Sequence, residues 1–192
     1  MNTASQDKPA CGASSDSTVA PIAIPAACSI RHLYPAPDLA DAYTVTLPIG
    51  TNATPEQLAR ILFAHQPQWA TVLMKIRDTL VAGFGLKTTS RLGAVDSAGS
   101  AGRVGFFKIY AATEDEIVLG EDDKHLDFRI SLLCDGAAGP NAARRIVVST
   151  VVHCHNRLGR TYIALIAPFH RRIVQASMRL AAQTKWKPVA DA

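Results

Sequence analysis

The chain predicts an α+β domain in which a curved antiparallel sheet wraps around one long C-terminal helix, with two shorter helices after the first strand. Three observations carry that expectation. Four consecutive runs are strand-like, Val104–Ala111, Glu116–Gly120, His125–Leu133 and Arg145–His155, and polar and apolar residues alternate along Asp122–Arg129 and Thr150–Asn156. Asp, Gly or Pro turns separate most of these runs, as an antiparallel meander requires. A helical period then holds from about Gly159 to Thr184, with Tyr162, Ile166, Phe169, Ile173 and Leu180 on one broad face.

Taken in order, residues 1–30 are rich in Ala, Ser, Pro and Thr and have little periodicity. Such a stretch buries too little apolar surface to offset its ordering entropy, so a disordered leader is expected. The domain is expected over 31–187, with 188–192 as a tail. Tyr43, Val45 and Leu47 alternate against Ala42, Thr44 and Thr46 and suit a first strand. Thr54-Pro55-Glu56 supplies a cap, a proline at the first helical position and an early acid, opening a helix to about Ala64. A second helix is expected from about Pro67 to Ala82, stopped by Gly83 and Gly85, with Trp69 as its core anchor or a pocket wall. Gly93–Gly102 reads as a flexible loop. Pro168 is expected to kink the last helix or begin it afresh.

Composition limits the function classes. The chain has 192 residues, 48% of them hydrophobic, which suffices for one domain with a core. Its net charge is only +4, but no Asp or Glu falls between Gly136 and Ala190, where nine Arg and Lys residues lie. This asymmetry reads as a basic helix set against an acidic hairpin, or as a basic interaction surface. No helix-turn-helix, zinc-finger or RNA-binding aromatic motif accompanies it, so nucleic acid is not an expected partner. No apolar run reaches the ~20 residues of a membrane helix, and Pro21 and Pro25 interrupt the mildly apolar stretch before Cys28. The four cysteines show no Cys-x-x-Cys spacing, so a reducing, cytoplasmic location is expected without a disulfide framework.

The chemistry-bearing residues cluster in three places. In the His125 strand, His125, Asp127, Arg129 and Ser131 alternate with Leu126, Phe128, Ile130 and Leu132. In the Arg145 strand, His153 and His155 share a side with Val147, Ser149 and Val151. If these strands pair, Asp127 and Arg129 neighbour His153 or His155, either as an ion-paired outer face or as the lining of a cavity. His170 falls inside the apolar arc of the last helix, near Ile166 and Ser177. In a cavity, Asp127 would orient an imidazole such as His155 as a general base, and Arg129 or Arg160 would hold a carboxylate or enolate. Tyr162 would donate to a carbonyl, so proton transfer beside a carbonyl is the reaction type that fits. His153 and His155, with Cα atoms roughly 6.5–7 Å apart, could face one metal, but no tighter ligand signature occurs and no metal or cofactor is expected. Gly83-Phe84-Gly85 lacks the remaining elements of a phosphate loop, and no serine sits in a nucleophile elbow.

Several motifs in this order resemble one family. They are Trp69 with Met74–Asp78, Gly83–Lys87, Glu116–Gly120, Asp123–Arg129, Asn156 through Gly159, Tyr162, and Pro168-Phe169-His170. Over roughly Tyr34 to Lys185 the chain resembles domain of unknown function 2867. Its order of elements resembles the helix-grip superfamily of START lipid-transfer domains and polyketide cyclases. That resemblance implies an elongated apolar ligand pocket between sheet and C-terminal helix, although a fold does not by itself assign an activity. The expected function is binding of a small, mostly apolar ligand there. Asp127, His155, His170 and Tyr162 are candidate catalytic residues, and Arg129, His153, Asn156, Arg160 and Trp69 are candidate ligand contacts. The alternatives are a cyclase-, dehydratase- or isomerase-like enzyme using the same polar patch, and an interaction module with a basic C-terminal surface.

Overall fold

The computed structural model describes residues 18–64, 102–105, 107–136, 144–184 and 186. The expected helix over 67–82, Trp69, the Gly83–Gly85 turn and residues 93–101 of the glycine-rich loop lie outside the described residues. Among the described residues, seven strands form one open antiparallel sheet: β1 (Ala20–Ile22), β2 (Leu39–Thr46), β3 (Arg103–Val104), β4 (Phe107–Ala112), β5 (Glu116–Asp122), β6 (Leu126–Asp135) and β7 (Arg145–Cys154). Their order is β1-β2-β7-β6-β5-β4-β3. Two helices are described, α1 (Pro55–Ala64) and α2 (Arg157–Gln183). The architecture is therefore α+β, a seven-stranded antiparallel sheet with a long C-terminal helix.

Period-two alternation decides which face each strand gives to the helices. Tyr43, Val45, Ile117, Leu119, Ile130, Leu132, Ile146 and Val148 point inward and join Leu58, Leu62, Met178 and Ala181 of the helices in the main core. Helix α1 starts as its sequence predicts: the Gln57 N–H donates to Thr54 Oγ1 and the Thr54 N–H to Gln57 Oε1, a reciprocal cap. The expected strand over Val104–Ala111 is split instead into β3 and β4. Gly105 turns the chain there with φ of 58°, a conformation that glycine adopts without a Cβ penalty.

Helix α2 runs through Pro168 without a break, so the proline does not begin the helix afresh. Proline removes the bond to the residue four before it, here Ala164, and both positions are exposed on the outer side, where water can serve the freed carbonyl. The stretch from Thr18 to Ile30, expected within the leader, contributes β1, which pairs with β2 through Ala20–Thr44, Pro21–Tyr43 and Ile22–Ala42. It also buries Cys28 and Ile30 against Ala42, Val118, Leu133, Val147 and Val151 on the sheet's outer face. Scattered apolar residues without periodicity can still be ordered when a sheet face offers them a place to bury.

The first turn of α2 fixes the helix over the sheet. Asn156 Oδ1 accepts from the Gly159 N–H, and Asn156 Nδ2 lies 2.9 Å from His125 Nδ1 in the turn before β6. Because the cap commits the amide oxygen, the amide nitrogen must donate, so His125 Nδ1 accepts. A Cβ at Gly159 would collide with the His125 backbone carbonyl oxygen. Among the described residues, no helix is long and apolar enough to cross a membrane.

Alanine is favoured over glycine in a helix by about 1 kcal/mol, so Gly159→Ala would stabilise a merely helical glycine. Here the collision with a backbone atom reverses the sign. Urea unfolding is expected to show a loss of about 1–3 kcal/mol, and a gain would remove the close approach.

Candidate functional site

The sheet separates two groups of polar residues. On the outer face, β6 and β7 pair so that Asp127 stands opposite His153, Arg129 opposite Val151 and Ser131 opposite Ser149. His155 Nε2 lies 2.9 Å from Asp127 Oδ2, and the His155 side chain remains 35% exposed. The other Asp127 oxygen accepts from the Asp123 N–H. His153 stacks on Tyr34 with ring centroids 5.3 Å apart and leans on His155 at 5.7 Å. The Arg129 guanidinium carbon lies over the Tyr110 ring, 3.6 Å from its centroid, and its NH2 group reaches Asp122 Oδ1 at 2.8 Å. Gly120, its partner on β5, leaves the space for this, since a Cβ there would meet Arg129 Cδ.

Burial and the Asp122 acceptor together push the Tyr110 phenol up to about 12. For Asp122 burial pulls upward, but hydrogen bonds from Tyr110 and Arg129 outweigh it and hold the carboxyl below its ordinary value. Among the described residues, no three His, Cys, Asp or Glu side chains come together as metal ligands would. The buried thiols carry no activation: burial raises Cys28, Cys134 and Cys154, the last to about 11.

The helix end of the site holds two more of the candidates in structural roles. Asn156 is the cap described above. Arg160 Nε donates to Asp38 Oδ1 at 3.2 Å, while Asp38 Oδ2 accepts from the Cys154 N–H at 2.7 Å. Burial pulls the Asp38 carboxyl upward, but these bonds and the Arg160 charge win, leaving it below 3.8. Tyr162 packs against Leu39, Leu126, Val152, Cys154 and Ile163.

On the inner face lies a different site. A cleft between β6, β7, α1 and α2 is lined by Leu62, Phe63, Ile130, Val148, Thr150, Ile173, Val174 and Ser177. Its empty space, counted out to the open mouth, is about 380 Å³. The lining is almost wholly apolar. Ser177 is 5% exposed, and its hydroxyl has no hydrogen-bond partner among the described residues. One turn before Ile173 and Val174, on the same side of α2, His170 Nε2 lies 3.4 Å from Asp41 Oδ1.

Asp127, Arg129, His153 and His155 thus come together as the strand pattern predicts, but on the face turned away from α2 and the cleft. Of the described candidates, His170 lies toward the cleft, one turn before its lining residues Ile173 and Val174. The sequence pattern gave Asp41, Thr150 and Ser177 no role in a site. The signal for Asp41 was present: it is a lone acid in the inward stripe Leu39, Asp41, Tyr43, Val45, Leu47, hidden because the first strand was expected to begin at Ala42.

The Asp38 geometry sets a pH dependence. With its folded value depressed, Asp38 adds stability that is complete above its unfolded value and lost as pH falls through the lower folded one. Thermal melts of Asp38→Asn against the parent should therefore show the widest gap near neutrality, closing as pH drops below about 3.8. A gap that stays constant into acid would deny the carboxylate's charge a part.

The family model described as "Protein of unknown function (DUF2867)" matches residues 33–177. No curated protein and no solved structure gives a significant match.

Proposed function

The chain belongs to that family of unknown function, and we propose that it binds a small, mostly apolar ligand in the cleft between its sheet and α2. The observation that carries this reading is the cleft's lining: an apolar wall with a buried Ser177 hydroxyl that none of the described residues satisfies. Buried hydroxyls nearly always have a partner, and an apolar concavity with a few polar groups is the usual form of a small-molecule site. The space that the centre of a water-sized molecule can occupy is about 50 Å³, far below the ~300–1,000 Å³ common for such sites, so the ligand is small. We read the arrangement as a helix-grip fold. In support, the strand order is antiparallel throughout and the terminal helix lies against β2 and β7.

Binding is checked by the fluorescence of N-phenylnaphthylamine, a neutral dye that brightens in apolar sites. Val174→Trp projects a ring into the cleft from a partly buried helix position. It is expected to weaken the dye at least about tenfold, a loss of about 1.4 kcal/mol, with the melting temperature close to the parent's. Unchanged dye affinity would place any binding elsewhere.

A second reading, acid–base catalysis beside a carbonyl, draws on the 2.9 Å contact between His155 and Asp127. An imidazole oriented by a carboxylate on a partly exposed face is a workable base. It would act at the sheet's outer surface, remote from the cleft. His155→Ala and Asp127→Asn are expected to abolish turnover of a carbonyl substrate while leaving melting nearly unchanged. Retained turnover in both variants would sink this reading.

A further inference from the structure

Resting on the cleft as a ligand site, we infer that its polar end selects a ligand with a hydrogen-bond-donating head, an alcohol or a protonated amine, seated at Asp41. The argument starts from the strand register. Asp41 of β2 stands directly opposite Thr150 of β7, on the same inward face, and Thr150 lines the cleft. Directly opposed residues in an antiparallel pair bring their Cβ atoms within about 4.5–5.5 Å. The carboxylate is therefore next to the cleft wall, beneath α2, with its side chain only 11% exposed.

Its partners hold it loosely. His170 Nε2 is 3.4 Å from one oxygen and Arg171 Nε is 3.7 Å from the other. Charge-assisted bonds of this type are ordinarily about 2.7–2.9 Å. Asp41 Oδ2 is buried and, among the described residues, accepts no hydrogen bond. A carboxylate offers about four acceptor sites, and a buried acceptor left empty costs about 1–3 kcal/mol. Helix spacing places His170, Ile173, Val174 and Ser177 along one side of α2, so the Asp41–His170 pair continues the line of the apolar wall.

These features discriminate by chemistry. A hydroxyl or ammonium head donates to Asp41 Oδ2 and fills the empty acceptor. A carboxylate head has nothing to donate to that oxygen. A plain hydrocarbon leaves the acceptor empty. The body of the ligand lies along Phe63, Ile173 and Val174, and the Ser177 hydroxyl is available to a second polar atom.

The test is displacement of N-phenylnaphthylamine from the full chain by octanol, octylamine and octanoate, which share one tail and differ only in the head. Octanol and octylamine are expected to displace the dye at concentrations at least about tenfold lower than octanoate, a difference of about 1.4 kcal/mol. In Asp41→Asn, which keeps the shape and removes the charge, the preference for octylamine over octanoate should shrink to within about threefold. Equal displacement by all three, or a preference for octanoate, overturns the inference while leaving the cleft as a binding site. Dye that never binds removes the cleft reading and this inference with it. The comparison of heads on the parent chain decides the matter even if the variant fails to fold.

Discussion

Everything on the inner face depends on how closely α2 meets the turn between β5 and β6. Gly159 lets the first helical turn lie against the His125 carbonyl, and Asn156 uses both ends of its amide, one to cap the helix and one to hold His125. Asp38 adds a third tie, joining Arg160 of the helix to the backbone at the end of β7. These contacts set the height and direction of a 27-residue helix from one end. Farther along, the helix meets the sheet through small and flexible residues, Ser177, Met178, Ala181 and Ala182. The cleft lies in that second half, beside α1, where the helix axis is already determined.

The outer face is closed by different means. A buried carboxylate, Glu116, accepts from the Ser29 N–H, from the Ser131 hydroxyl and from the Cys28 thiol. These bonds hold the segment after β1 onto strands that would otherwise present Val118, Leu133, Val147 and Val151 to water. A sheet in this molecule is therefore covered on both sides, by helices inside and by an irregular segment outside. The polar row of Tyr110, Arg129, Asp127, His153 and His155 begins where that cover stops. Its stacked rings and ion pairs are partly exposed, and exposed pairs of this type contribute only about 0–1 kcal/mol each. They order the surface more than they stabilise it.

Much of the architecture was legible because it is written in local periods. The alternation in β6 and β7 gave both their pairing and the grouping of Asp127 with the two histidines. The Thr54-Pro55 cap and the wheel of α2, with His170 turned inward, were equally local. What stayed hidden depended on long-range partners. Alternation says which residues share a face but not which face meets the helix, so the Asp127 row read equally well as cavity or as surface. The segment around Cys28 has no period of its own, and its order comes from Glu116, 88 residues away. Ser177 looked like a small helix residue, and only the three-dimensional lining of the cleft shows that its hydroxyl lacks a partner among the described residues.

The ends of the sheet carry a consequence for how the protein behaves among copies of itself. An outermost strand exposes a row of backbone donors and acceptors that another chain can zip onto. Among the described residues, the two outermost strands are β1, three residues long with Pro21 at its centre, and β3, two residues long. Proline offers no N–H, and so short a ladder gives an incoming strand almost nothing to pair with. The sheet tapers at both sides, which disfavours edge-to-edge growth and keeps a β-rich chain from templating its own aggregation.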